Sequence, residues 1–545
     1  MQNFYLINLK RTRGGDKKED NETLLQYINK EKSQPISRFF LKTADFFWKS
    51  TKKYVTLYPR NTGNMTYQSI IGRKEEIKKL EKFLKSPKSE FVAIYGRRRV
   101  GKSYLVEEVY KDKIVFRAVG AYIKEKDERT YKQIQLDHFY ESLLDCGVSE
   151  DTTRPSNWRE AFRLLRKYLE GVHAKRRVVF LDELPWLAGP QSSELITELG
   201  YFWNSWADRQ RNIVLVVCGS ATSWMLDNVI RDYGGLHGRL TEKIRLLPFT
   251  LKECEQYFKR HGFRLSRYEI AVAYMAFGGI PYYLDRIDNE KNLTENIDDF
   301  FFKDKQIDQE FKGVYTGLYS TSERYVDVVK ALGTKFYGMT RQELAETVGI
   351  ELGGSFSKIL DNLHESGITR EYPRYGKERV ETVYQLKDFF SIFYLHFIYG
   401  KGTEEGNWRS IQRTPTFYTW AGNTFELLCI EHIPMMRDKL RIATISRNYC
   451  WRGTAPNGTA AQIDLVLEWK GERTDYLCEM KFSEHEFTIS KQYERELENK
   501  IEAFLHSKQH TKTHSIQLVM VTTNGITGNE HAKDVNQNII LDDLF

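Results

Sequence analysis

Tyr95-Gly-Arg-Arg-Arg-Val-Gly-Lys-Ser103 is the stretch on which the fold turns. From Gly96 to Ser103 it satisfies Gly-x4-Gly-Lys-Ser, the pattern of a loop that cradles phosphates between a strand and a helix. The apolar run Phe91–Tyr95 supplies the strand, and a helix is expected to start near Lys102. Glycines let backbone N–H groups curl around a phosphate, and the helix turns its positive dipole end towards it. Gly96, Arg97, Arg98, Arg99, Val100, Gly101, Lys102, Ser103 and Tyr104 are therefore expected to hold ATP. Within that set Lys102 would bridge the β- and γ-phosphates, and Ser103 would ligate Mg2+.

Working outward, Val178-Val-Phe-Leu-Asp182-Glu183 puts two acids at the end of an apolar strand. Asp182 stands where a carboxylate supports Mg2+, and Glu183 where one polarises the attacking water. A solvated acidic pair is the plainer alternative. The strand Ile213–Cys218 runs into Gly219-Ser220-Ala221-Thr222, so Ser220 first and Thr222 second are candidates to sense the γ-phosphate. Turn chemistry alone would also explain them. Arg239, in Gly234-Gly235-Leu236-His237-Gly238-Arg239, reads either as an arginine finger on a neighbouring subunit's ATP or as a local ion-pair partner.

Five short apolar runs, at 91–95, 114–118, 178–181, 213–218 and 243–247, alternate with helical patterns such as Trp158 to Leu169 and Ser193 to Asp208. Continuous rather than alternating hydrophobicity marks strands covered on both faces, hence a parallel sheet in an α/β layer fold. A helical stretch from about Thr250 to Leu284 reads as a lid. Residues 322–387 change texture: helix-like Ser322–Leu332 and Met339–Val348, a Gly-rich turn, Phe356–His364, then extended Ile368–Tyr372 and Glu381–Leu386. That is the winged-helix order. DNA contact would use Lys358, Asn362 and His364 on the second helix and Arg370, Arg374, Lys377 and Arg379 on the wing, whereas Asp361 and Glu365 suit a packing role.

Beyond residue 415, Glu426 lies on a helical stretch, Asp464 starts an apolar strand, and Glu479-Met-Lys481 ends the next. Glu479 and Lys481 are two apart, so both face the same side of their strand. Asp464, Glu479 and Glu426 could hold Mg2+ while Lys481 positions or deprotonates a hydrolytic water; Gln492 could assist from the following helix. The spacing resembles the core of PD-(D/E)xK nucleases. An active site and a structural remnant are both open.

Composition sets the outer limits. The 545 residues are too many for one core. The longest apolar stretch, Phe389 to Tyr399, is far short of the roughly 20 residues a spanning helix needs. The net charge is +8, yet residues 1–64 carry +7 of it, so global charge says nothing for DNA binding by the remainder. That leader is either a basic arm or a mis-assigned start before Met65. The six cysteines are scattered without CxxC spacing, which suits reduced thiols in a cytoplasmic protein.

Tyr95–Ser103, Leu181-Asp-Glu-Leu-Pro-Trp186, Cys218-Gly-Ser-Ala-Thr-Ser-Trp224 and Gly278-Gly-Ile-Pro-Tyr-Tyr283 together resemble the archaeal-type ATPase family, a branch of AAA+/STAND-like P-loop proteins. The resemblance spans residues 70 to about 320. It implies a five-stranded core, a helical lid, a winged helix and often a C-terminal nuclease-like domain. The expected architecture is a 1–64 leader, a 65–249 P-loop core, a 250–320 lid, a 321–400 winged helix and a 410–545 restriction-endonuclease-like α/β domain. The expected function is ATP hydrolysis governing Mg2+-dependent cleavage of DNA; the alternative is an ATP-dependent switch whose C-terminal domain is catalytically inactive. ATP and DNA are the expected partners, with no membrane, and a homo-oligomer follows if Arg239 is a finger.

Overall fold

The chain divides into Met1–Thr66 and Tyr67–Phe545. The computed structural model describes residues 69–123, 127–189, 193–231, 235–316, 322–373, 382–401, 407–443, 446–507 and 510–545. The 1–64 leader and Arg374, Lys377 and Arg379 of the wing lie outside these residues.

β1 (Glu90–Tyr95), β2 (Ile114–Val119), β3 (Arg177–Asp182), β4 (Ile213–Gly219) and β5 (Glu242–Arg245) form one sheet in the order β2-β3-β4-β1-β5, all pairs parallel. Every residue of β3 and β4 is buried, which is why these runs carry no polar alternation. The longer helices of this layer are α1 (Lys74–Lys85), α2 (Lys102–Tyr110), α3 (Glu128–Asp145), α4 (Trp158–Gly171) and α5 (Ser193–Ser205). α3 was not among the expected helices; its polar residues are spread around the axis instead of along one stripe. The fifth strand ends two residues earlier than the apolar run, leaving Leu247 exposed.

In the stretch expected to be a lid, α6 (Leu251–Arg260) and α7 (Arg267–Phe277) each open with a reciprocal capping box, Thr250 with Glu253 and Ser266 with Glu269. After α8 (Ile307–Thr316) and α9 (Ser322–Thr334) comes a three-stranded sheet in the order β6-β8-β7, from β6 (Met339–Thr340), β7 (Thr369–Pro373) and β8 (Thr382–Leu386), with α10 (Arg341–Val348) and α11 (Gly354–Glu365) between. The expected helix at Met339–Val348 starts two residues later. Thr340 caps it through Glu343, and Met339–Thr340 pair with β8 instead.

α12 (Phe389–Phe397) leads to α13 (Pro415–Glu431) and a second sheet, order β13-β12-β11-β10-β9. Its strands are β9 (Arg447–Thr454), β10 (Ala460–Trp469), β11 (Thr474–Lys481), β12 (Ser515–Thr522) and β13 (Gln537–Ile540), with α14 (Lys491–Leu505) joining β11 to the parallel β12. β9 and β13 were not expected. Four exposed residues among the eight of β9, and the shortness of β13, blur their signal. One hydrophobic cluster runs from the first sheet through the lid and α12 to α13 and the inner face of β10 to β12. No described helix is long and apolar enough to cross a membrane.

His432, just past α13, knits this cluster to the lid. Its Nδ1 lies 2.8 Å from the Leu428 carbonyl, and its Nε2 accepts from the Leu251 N–H at 3.1 Å. Those partners demand the neutral ring with the proton on Nδ1. Burial holds its pKa below the ordinary 6.5. The unfolded ring protonates near pH 6.5 while the folded ring resists, so its contribution is complete above that pH and fades as the pH falls below it, at about 1 kcal/mol per pH unit. The melting temperature should drop from pH 7 to pH 5, and His432→Gln should flatten that part of the profile.

Candidate active site

The loop between β1 and α2 has the shape phosphate recognition needs. Gly96 and Gly101 take φ of 140° and 90°, and Arg99 takes 74°. A Cβ on Gly96 would strike the Leu246 carbonyl, so only glycine fits there. The N–H groups of Gly101, Lys102 and Ser103 donate to no described residue, which leaves a ring of donors at the start of α2. Lys102 is buried, and its Nζ donates to the carbonyls of Gly96 and Arg97 at 3.1 Å each. Burial lowers its pKa, with Glu183 and Asp182 opposing.

Ser103 and Asp182 meet across the loop, the hydroxyl donating to Oδ1 at 3.0 Å. A hydroxyl and a buried carboxylate make a hard oxygen set of the kind that suits Mg2+. Arg117 on β2 also reaches Asp182, at 3.3 Å. Glu183 sits in the left-handed region at φ 46°, and its Oε2 accepts from the backbone N–H and the hydroxyl of Ser220 at 3.1 and 2.9 Å. Ser220 thus touches the acid directly. Thr222 is buried, and its hydroxyl has no partner among the described residues.

The three arginines of the loop do not turn their side chains to the phosphate position. Arg97 pairs with Asp388, Arg98 donates to the Gly313 carbonyl at 3.1 Å, and Arg99 pairs with Glu310 while lying 4.0 Å over the Tyr282 ring. Only their backbones remain for a nucleotide. Tyr104 is exposed, and its hydroxyl donates to the Ser69 carbonyl at 3.2 Å. Arg239 is exposed on a turn and forms no ion pair with a described residue, so the local-pair reading finds no carboxylate here.

Sequence reasoning overlooked Arg73. It is buried, lies 4.8 Å over Phe249, and donates to the Val100 carbonyl at 3.4 Å, while its N–H reaches Glu253 of α6. Ile70-Ile71-Gly72-Arg73 ahead of α1 was the available signal, because Gly72 at φ 61° leaves no room for a side chain against Glu253.

The helix for which DNA contact and packing were both open makes contacts within the chain. Asn362 is buried and donates to the Tyr325 hydroxyl at 2.8 Å; Lys358 pairs with Asp227 at 2.8 Å, and Glu365 with Arg231 at 3.0 Å. Asp227 and Arg231 belong to the segment between β4 and β5, so α11 faces the first sheet's layer. His364 is half-buried, and its pKa is lowered by burial and Arg245.

In the second sheet, residues far apart in sequence converge. Asp464 on β10 accepts from the Met480 N–H of β11 at 3.0 Å. Glu479 is 1% exposed, and its pKa is pushed up to about 7 by burial and by Asp464, with Lys500 and Lys481 opposing. Glu426 on α13 is buried, and its pKa is raised well above the usual value by burial and Asp464. Lys481 Nζ rests 5.0 Å over the Tyr493 ring. Lys500 of α14, not anticipated, donates to Glu479 Oε2 at 2.6 Å, and Tyr493 donates to the same oxygen at 3.3 Å. Glu479 Oε1 is buried with no hydrogen-bond partner among the described residues. Gln492 is exposed and binds Glu496 at 3.2 Å, so it is not brought to this cluster.

Known proteins agree with the first half of this picture. Residues 70–287 match the model of an ATPase domain predominantly from Archaea. An uncharacterized protein of Methanocaldococcus jannaschii is 23% identical over 432 residues, covering 76% of this chain and 88% of that protein. An uncharacterized ATP-binding protein of the same organism is 40% identical over 49 residues, which is 9% of this chain and 83% of that protein. Among solved structures, the Walker-type ATPase of Pyrococcus abyssi superposes with a TM-score of 0.43 at 21% identity, covering 62% of this chain and 99% of that one. The ORC2 protein of Aeropyrum pernix gives 0.36 at 13%, covering 59% and 92%. Through residues 70–287, with their phosphate loop, buried strand-end carboxylate and all-parallel sheet, the chain belongs to the family of ATPase domains found predominantly in Archaea.

Proposed function

We propose that the protein hydrolyses ATP at the Lys102–Ser103–Asp182–Glu183 site and that nucleotide state governs a divalent-metal-dependent, DNA-cleaving site built on Glu426, Asp464, Glu479 and Lys481. In the first site the free N–H groups of the loop and Lys102 take the phosphates, and Ser103 and Asp182 hold Mg2+. When bound, the ion neutralises charge developing on the β- and γ-phosphate oxygens. Ser220 keeps Glu183 beside the strand end, where the acid can orient and deprotonate the attacking water. Arg239, exposed and without an ion-pair partner among the described residues, is the group a neighbouring subunit's ATP would meet.

The observation that carries the second site is the buried Oε1 of Glu479, without a hydrogen-bond partner among the described residues, beside buried Glu426 and half-buried Asp464. Burial and the nearby Asp464 raise the pKa of Glu426 and Glu479, a cost that a cation would relieve, and the set is all oxygen. A bound Mg2+ would polarise the phosphodiester and offset its growing charge. Lys481 and Lys500 then lie at hand to orient water and to steady Glu479. One contact favours the second reading, a switch with a silent C-terminal domain: Lys500 already neutralises Glu479 without any metal.

Incubating the full chain with plasmid DNA, ATP and Mg2+ decides between them. Cleavage that requires Mg2+ and changes with ATP supports the leading reading. ATP turnover with intact DNA under every divalent metal selects the switch.

A further inference from the structure

The Arg97–Asp388 pair joins residues 291 positions apart and is closed to water at both ends, with side-chain exposures of 2% and 5%. The guanidinium grips the carboxylate with two bonds, Nε to Oδ1 at 2.6 Å and Nη2 to Oδ2 at 3.1 Å. Such a fork is the strongest and most directional of side-chain ion pairs. The pocket around it is aromatic: the guanidinium lies 5.5 Å from the Tyr283 ring and 6.0 Å from the Phe390 ring.

Asp388 has a second task. It caps α12, accepting from the backbone N–H and hydroxyl of Ser391 at 3.0 and 2.6 Å. Ser391 in turn meets the Tyr315 hydroxyl of α8 at 2.7 Å. One carboxylate therefore holds both the phosphate loop and the start of the helix that leads from β8 towards α13, which carries Glu426.

The loop end of this link also meets Lys102. Lys102 donates to the carbonyl of Arg97 as well as to that of Gly96. Its ammonium carries three N–H groups, so one is left for a phosphate. The Arg97 side chain is held in place, because leaving Asp388 would strand a buried carboxylate, a costly state. The backbone of Arg97 is thus coupled to the phosphate site through Lys102 while its side chain stays anchored on Asp388.

We propose that Asp388 is a positioning residue for the nucleotide reaction, holding the phosphate loop through Arg97 and making α12 the element that responds when nucleotide binds. The proposal rests on reading residues 96–103 as the ATP site.

The test uses the full chain and two readouts: steady-state kcat and KM for ATP, and amide exchange of residues 389–397 with and without ATP. Asp388→Asn and the double variant Arg97→Met/Asp388→Leu are compared with wild type. Replacing a buried pair whole by apolar residues is often neutral for stability, so the double variant keeps the test alive if Asp388→Asn fails to fold. The expected result is a KM raised at least about tenfold with kcat changed much less, the signature of lost ground-state positioning, together with loss of the ATP-induced protection of 389–397. A folded double variant with wild-type KM and wild-type protection overturns the proposal. So does a wild type that turns over ATP with no change in exchange at 389–397. Failure of the wild type to bind ATP, with Lys102→Ala indistinguishable from it, would instead overturn the underlying site.

Discussion

Lys102→Ala should remove ATP turnover, lowering kcat/KM at least about a hundredfold, near 3 kcal/mol of transition-state stabilisation. The lysine is the cation buried against the loop carbonyls and flanked by Glu183 and Asp182. Alanine leaves the N–H ring in place, so weak nucleotide binding can survive while charge on the transferring phosphoryl goes uncompensated. The fold should tolerate the change, because alanine also removes the buried charge of Lys102, whose desolvation is costly. Turnover measured with Mg2+ and matched melting curves checks both halves. Wild-type kinetics in the variant would mean that the loop is not where ATP reacts.

Glu479→Gln should abolish metal-dependent DNA cleavage, by about a thousandfold or more, and leave ATP turnover within about twofold. The amide keeps the shape and can still accept from Lys500 and Tyr493, but it removes the charge a divalent cation needs at the unpartnered oxygen. Because the side chain is on β11 of the second sheet, no atom of the nucleotide site is touched. Plasmid nicking with Mg2+ or Mn2+, run beside a phosphate-release assay, separates the two activities. Equal nicking by variant and wild type would assign the cleavage to a contaminant or another site, and the carboxylates would stand as a structural remnant.

How much of this was legible beforehand differs by element. The phosphate loop, Asp182, Glu183 and the five parallel strands could be read because local spacing and buried strands leave strong marks on a short stretch of chain. The pair Glu479 and Lys481 was legible for the same reason, being two apart on one strand. Gln492 was misplaced, since spacing on a helix does not say which face meets the sheet. For α11 both DNA contact and a packing role were open. Its Asn362 and Lys358 are engaged within the chain, and only the packing of distant segments could reveal that.

From sequence alone, then, came the chemistry of the two candidate sites and the order of the layers, because period, strand ends and motif spacing are local properties. The tertiary structure alone decided the partners of each charged group. Arg97 looked like a phosphate ligand and is bound to Asp388; Glu479 was read with Asp464, Glu426 and Lys481 and is also held by Lys500. Those pairings span 291 and 21 residues. They exist because burying a charge is costly unless an opposite charge is delivered to it, and which one is delivered depends on how the whole chain packs.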